Sequence, residues 1–178
     1  IIVGGMGNAM LKNTGINIGK SICDDGYKDL VVEILEKSVT HDCKIYYPLD
    51  VVVSKTLDGN PITKELNEIN NDEMILDIGP KTISSIKNII NESSTVLWNG
   101  PAGYFENPNF ANGTKKILEI ISDRRAEDKI YAVAGGGETV AVINKFNKLD
   151  TFNFVSTAGG AFLEYLEGKK LPGIKALN

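Results

Sequence analysis

Arginine is nearly absent from this sequence: Arg124 and Arg125 are the only two, and no run of Lys or Arg exceeds two residues. With a formal net charge of −4, that leaves no basic stripe for nucleic acid and no polybasic patch for a membrane surface. Cysteine is equally scarce. Cys23 and Cys43 form no CxxC, and the lone His41 adds too few donors for a metal centre. Two reduced thiols in a cytosolic protein are expected, and His41, which has no acid or base partner in sight, is expected in solvent. No apolar run approaches the ~18 residues of a membrane span. The opening IIVGGMGNAML lacks the basic region and cleavage site of a signal peptide. The acceptor triplets at Asn91 and Asn112 therefore carry no expectation of glycosylation.

What is present reads as a globular domain of ordinary size, 42% hydrophobic and 24% charged over 178 residues. Short β-branched or aromatic runs predict strands over 1–3, 44–47 (with 51–53), 74–78, 96–98, 130–134 and 152–155. Between them, helical patterns run over 6–12, 27–39, 81–91, 110–122, 138–146 and 161–167. In the second helix Leu30, Ile34 and Leu35 share a face and Glu33 pairs with Lys37 at i,i+4. In the third, Ile83, Ile86, Ile89 and Ile90 form the apolar stripe behind Pro80, which starts the helix. Continuous apolar strands alternating with amphipathic helices predict an α/β fold, Rossmann-like and three-layered, with a mainly parallel sheet. The polar stretch 57–72 is read as a surface excursion.

Glycine is concentrated where such a fold binds ligands. IIVGGMG, VLWNGPAG, YAVAGGG and FVSTAGG hold ten of the 18 glycines, and each follows a predicted strand. In an open parallel sheet those turns share the carboxyl edge, where bare backbone can approach a ligand and helix starts favour phosphate. A single glycine turn serves equally well as a tight connection with no ligand. Four of them favour a phosphate or nucleotide crevice.

Two familiar motifs fail on inspection. Gly5-Met-Gly7-Asn-Ala-Met10 lacks the third glycine of a dinucleotide fingerprint, and Gly15-Ile-Asn-Ile-Gly19-Lys20-Ser21 has one intervening residue too few for a P-loop. None of the four glycine turns contains Lys or Arg, although phosphoryl transfer relies on cations that neutralise the moving charge.

Taken in order, WNGPAGYFE, AGGGETVAVINKF and STAGGAFLEYLEGKKLPG resemble the carboxyl-terminal, nucleotide-binding domain of phosphoglycerate kinase, and the likeness runs from Ile1 to the final LPGIKALN. The resemblance implies reversible phosphoryl transfer between 1,3-bisphosphoglycerate and ADP, giving 3-phosphoglycerate and ATP in glycolysis, with Mg-ATP or Mg-ADP held by this chain. It implies that residues 1–178 are that domain truncated at its amino-terminal end. The family's first, central strand and two nucleotide-facing lysines would then be missing, along with the domain that holds 3-phosphoglycerate. The complete enzyme is expected to be cytoplasmic and monomeric, without nucleic-acid or membrane partners, and the fragment alone inactive.

Roles follow from the same resemblance. Asn99 is expected near the nucleotide phosphates, Gly100, Pro101, Ala102 and Gly103 as a wall of the adenosine site, and Glu106 on the ribose hydroxyls. Gly4 and Gly5 should line the site, with Leu76 against the adenine. Gly135, Gly136, Gly137, Glu138 and Thr139 should form the phosphate loop, Glu138 holding the metal where the family has Asp. The amides of Gly137, Gly159 and Gly160 should face the phosphoryl group in flight, with Ala158 replacing a family glycine. Trp98, Tyr104 and Phe105 are read as core, and Asp50 and Asp77 as loop-fixing. Three rival readings remain: a non-catalytic nucleotide-binding fragment, a dinucleotide-dependent oxidoreductase, and a structural domain whose glycines only make turns.

Overall fold

The structure, a computed structural model, describes residues 1–23 and 25–177. Among these, the helices are α1 (Gly4–Asn13), α2 (Lys28–Thr40), α3 (Pro80–Glu92), α4 (Asn112–Ala126), α5 (Gly137–Lys145), α6 (Gly160–Leu166) and α7 (Pro172–Lys175). The strands are β1 (Asp50–Ser54), β2 (Ile62–Glu65), β3 (Met74–Ile78), β4 (Thr95–Asn99), β5 (Tyr131–Gly135) and β6 (Phe154–Val155). They form two three-stranded sheets, an antiparallel β2-β1-β3 and a parallel β4-β5-β6. The chain divides into two compact units, Ile1–Asn88 with Ala102–Ile117, and Ile89–Pro101 with Leu118 onward.

In the first unit, Ala9 and Met10 of α1 pack with Val31 of α2, closed by Ile2, Leu35 and Ile45. Leu11 turns to the sheet and joins Val51, Val53, Ile18 and Ile69. Two buried aspartates start helices from a distance. The Asp50 carboxylate accepts from the N–H groups of Lys81 (2.9 Å) and Thr82 (2.8 Å) at the head of α3. Asp77 accepts from Gly113 N–H (2.7 Å) at the head of α4. Helix-start amides lack intrahelical partners, so each carboxylate supplies a cap the local sequence does not. Glu73, also buried, is held by Lys64 Nζ at 2.8 Å, and that ammonium, helped by the Asn70 N–H, keeps its carboxyl below the usual range.

The second unit is built on β4-β5-β6. Trp98, Ala132 and Ala134 are buried, as are Val142 and Ile143 of α5. Trp98 stacks on Phe152 with ring centroids 6.0 Å apart. The core readings of Trp98 and Phe105 hold, both being buried, while Tyr104 is half-buried.

The α/β class and a small parallel sheet flanked by helices are as the sequence led us to expect, with differences in detail. Residues 1–3 and 44–47 are not strands. Ile2 N–H donates to the Tyr46 carbonyl at 2.8 Å, but no ladder follows. β-branched composition makes a strand only where a neighbour pairs successive residues. Strand 74–78 is present but pairs antiparallel with β1, across an irregularity between Val52 and Val53. The excursion 57–72 contains β2, an edge strand that its charged ITKE sequence concealed. The GINIGKS near-miss is a docking turn. Gly19 bridges Met74, Lys20 N–H donates to Glu73 O (2.7 Å), and Ser21 Oγ accepts from Ile75 N–H (2.7 Å).

Candidate functional site

Three of the four glycine turns leave the carboxyl edge of the parallel sheet. Asn99 ends β4 in register with Gly135, the end of β5. Ser156 N–H donates to Ala134 O at 2.8 Å, bringing the turn after β6 to the same edge. The turns are tied together where they leave the sheet. Gly100 N–H donates to the buried Thr139 Oγ1 in the first turn of α5 at 2.6 Å.

The glycines along this edge divide by what surrounds them. A side chain at Gly135 would strike the Phe162 ring. One at Gly136 would lie 2.5 Å from Asn99 Oδ1, and its φ of +89° lies in the left-handed region. Packing and backbone therefore require these two. At Gly100, Gly137, Gly159 and Gly160 an added Cβ would meet nothing within 4 Å. Gly100 and Gly159 still need glycine for positive φ, at +93° and +57°. Gly137 and Gly160 need it neither for backbone nor for packing.

Gly136 caps α5 with no side-chain bond, and the first intrahelical donor back to it is Val140 N–H, 3.0 Å from Gly136 O. The N–H groups of Gly137, Glu138 and Thr139 are therefore turned out of the helix head without partners among the described residues, which suits an anion. Glu138 is the exposed carboxylate of that turn. No group of three His, Cys, Asp or Glu among the described residues could hold a metal ion. Glu138 alone offers one carboxylate at this edge, within the one or two that Mg²⁺ takes when phosphate oxygens and water complete its shell. The arginines are engaged elsewhere. Arg124 donates to Asn91 O (2.8 Å) and Arg125 pairs with Asp128 (2.9 Å).

The remaining predicted residues belong to the first unit. Gly4, at φ +63°, opens α1, and Gly5 beside it is exposed with open space at its Cβ position. Leu76 is buried in β3, and its carbonyl accepts from Tyr104 N–H at 2.7 Å. A side chain at Gly103 would collide with that carbonyl and lie 2.6 Å from Asp77 Oδ1, so packing alone explains this glycine. Glu106 is exposed in the following turn. Missed in the sequence was the work of the two aspartates, read only as loop-fixing. No local signal marks them, because the amides they hold lie 31 to 36 residues further along the chain.

The model of the phosphoglycerate kinase family matches residues 1–169. The phosphoglycerate kinase of Rhizorhabdus wittichii is 43% identical over 179 residues, covering 99% of this chain and 45% of that protein. That of Francisella philomiragia is 44% identical with the same coverage, 99% and 45%. The solved structure of phosphoglycerate kinase from Coxiella burnetii superposes with a TM-score of 0.90 at 38% identity, again over 99% of this chain and 45% of that one. The chain thus spans about half the length of the curated relatives it matches. With a family model matching nearly every residue and a common fold over the same span, the chain belongs to the phosphoglycerate kinase family.

Proposed function

We propose that this chain is the nucleotide-binding half of a phosphoglycerate kinase, and that the whole protein passes a phosphoryl group reversibly between 1,3-bisphosphoglycerate and ADP. The observation that carries this reading is the open glycine edge of the parallel sheet, where Gly137 and Gly160 have no structural need to be glycine. A polyphosphate lying on that edge supplies the need. Its oxygens take the unpartnered N–H groups of Gly137, Glu138 and Thr139, with the Asn99 side chain beside them. Gly159 and Gly160 offer bare backbone to the phosphoryl group itself.

In the reaction the acyl-phosphate O–P bond breaks, the carboxylate leaves, and a terminal oxygen of ADP forms the new P–O bond. No covalent protein intermediate and no general base are required, so catalysis is alignment and charge stabilisation. Magnesium, when bound with the nucleotide, neutralises phosphate charge, and Glu138 is the residue that would hold it. For the nucleoside we retain Gly4, Gly5, Gly100, Pro101, Leu76, Gly103 and Glu106 as contacts, on the strength of family resemblance. The acid substrate would be held by the rest of the longer protein, which we place in the cytoplasm as a monomer. The 178-residue chain by itself binds nucleotide and turns nothing over.

Calorimetric titration with Mg-ADP tests the core of this reading. The chain should bind, and Gly137→Ala should weaken binding at least tenfold without loss of thermal stability. Equal affinities for the two proteins, or no binding by either, would refute it. A coupled assay for ATP formation should show no turnover by the chain alone. Thermal protection by NAD and not by ADP would favour a dinucleotide enzyme instead.

A further inference from the structure

Glu106 is the third residue of the turn 104–107, which Asn107 N–H closes onto Tyr104 O at 3.2 Å. Both ends of that turn are tied down within the first unit. At its start, Tyr104 N–H donates to Leu76 O of β3 at 2.7 Å. At its end, Asn107 Nδ2 donates to Leu57 O at 2.8 Å, fifty residues back in the connection between β1 and β2. That carbonyl is itself set in a tight turn. Gly59 N–H donates to Thr56 O at 3.1 Å, and a side chain at Gly59 would collide with Ser54 Oγ.

The base of the segment is closed by other means. Ala102 N–H donates to the buried Thr114 Oγ1 at 3.0 Å, Gly113 N–H donates to Asp77 Oδ2 at 2.7 Å, and Phe110 is fully buried. Asn107 works away from that base and uses both ends of its amide. Oδ1 accepts from Asn109 N–H at 2.9 Å, capping the short helical turn that begins at Pro108, while Nδ2 holds Leu57. A cap needs only the acceptor. Asp would supply that acceptor and no donor, and Ser is too short to serve both partners. The donor therefore does a second job. Because Asn107 is half-buried, its bond to Leu57 adds little to global stability, and what it fixes is the place where the turn stands.

We propose that Asn107 is a positioning residue for the nucleotide: by holding the Leu57 carbonyl it fixes the turn that presents Glu106 to the nucleoside. This rests on the nucleotide-binding reading above and adds to it a residue that acts through Glu106. Glu106 is exposed, with a long side chain that must be ordered when it takes a ligand. On an untied turn the ligand would have to order the backbone as well, and affinity would fall. A turn fastened at both ends has lost that freedom before the ligand arrives.

Calorimetric titration with Mg-ADP, and with Mg-tripolyphosphate, which has no nucleoside, tests the proposal. Asn107→Ser keeps an acceptor for Asn109 N–H and loses the reach to Leu57. It should weaken Mg-ADP binding about three- to tenfold, the span of one neutral hydrogen bond, and leave tripolyphosphate binding unchanged. Added to Glu106→Ala, the same substitution should weaken Mg-ADP binding no further, because its effect passes through Glu106. Without ligand, hydrogen exchange of the backbone amide at position 107 should quicken in Asn107→Ser. Unchanged Mg-ADP affinity, equal weakening of tripolyphosphate, additive loss in the double variant or unchanged exchange would each overturn the proposal and leave the phosphate edge standing. An unsubstituted chain that binds neither probe would overturn both.

Discussion

Glycines that look alike in sequence answer to different surroundings in the two compact units. In the first unit, a side chain at Gly79 would collide with the Asp50 carboxyl, and one at Gly103 or Gly113 with Asp77. Those carboxylates cap α3 and α4, so glycine there makes room for a buried polar joint. In the second unit, Gly137 and Gly160 touch nothing that a methyl group would disturb. The first set is needed by the protein. The second is needed neither for packing nor for backbone, which is the observation that the proposed phosphate edge rests on.

Substitutions can break this contrast at either end. The largest effect is expected for Gly103→Ala, whose methyl meets backbone rather than a flexible chain. A loss of about 3 kcal/mol or outright unfolding in urea titration is the expected outcome, and a neutral result would dissolve the first half of the comparison. Next comes pH. Burial pushes the Asp77 carboxyl up to about 6 from an ordinary 3.8, against the Gly113, Ile78 and Asn112 N–H groups that favour its charge. The native state then holds this proton more tightly than the unfolded chain does. Its contribution to stability declines by roughly 2–3 kcal/mol as pH rises from about 4 to about 6. Asp77→Asn should remove that slope from denaturation midpoints measured across the range. Glu73 works in the opposite sense, because its lowered value stabilises above about 4.5 and is lost on acidification.

Asp50→Ala should cost about 2 kcal/mol by stripping buried N–H groups at the head of α3 of their acceptor, with proton exchange in that first turn accelerating most. Smallest in stability is Gly160→Ala, within about 0.5 kcal/mol of the parent, yet it should lower Mg-ADP affinity severalfold. A Gly160→Ala chain that binds normally would show that open glycine edges need not mark ligands.

Helices were the legible part of the sequence. The period of Ile83, Ile86, Ile89 and Ile90 placed α3 to within a residue of its observed ends, because helical hydrogen bonds are local and the stripe is written in the same few turns. The glycine turns after β4, β5 and β6 were legible for a similar reason. Strand pairing was not. Residues 44–47 have the composition of a strand and no ladder, while ITKE, half of it charged, has one. Nor could the sequence separate Gly103 from Gly137, since what distinguishes them is whether Leu76 and Asp77 stand beside the missing side chain.

The order of residues by itself determined which segments coil, where the chain can turn sharply, and which family it joins, since all three depend on neighbours along the chain or on motifs read in succession. Only the tertiary structure decided that Met74–Ile78 runs antiparallel to Asp50–Ser54 and that two distant aspartates start two helices. Those outcomes depend on backbone and carboxyl groups meeting across tens of residues, where sequence distance carries no information about distance in space.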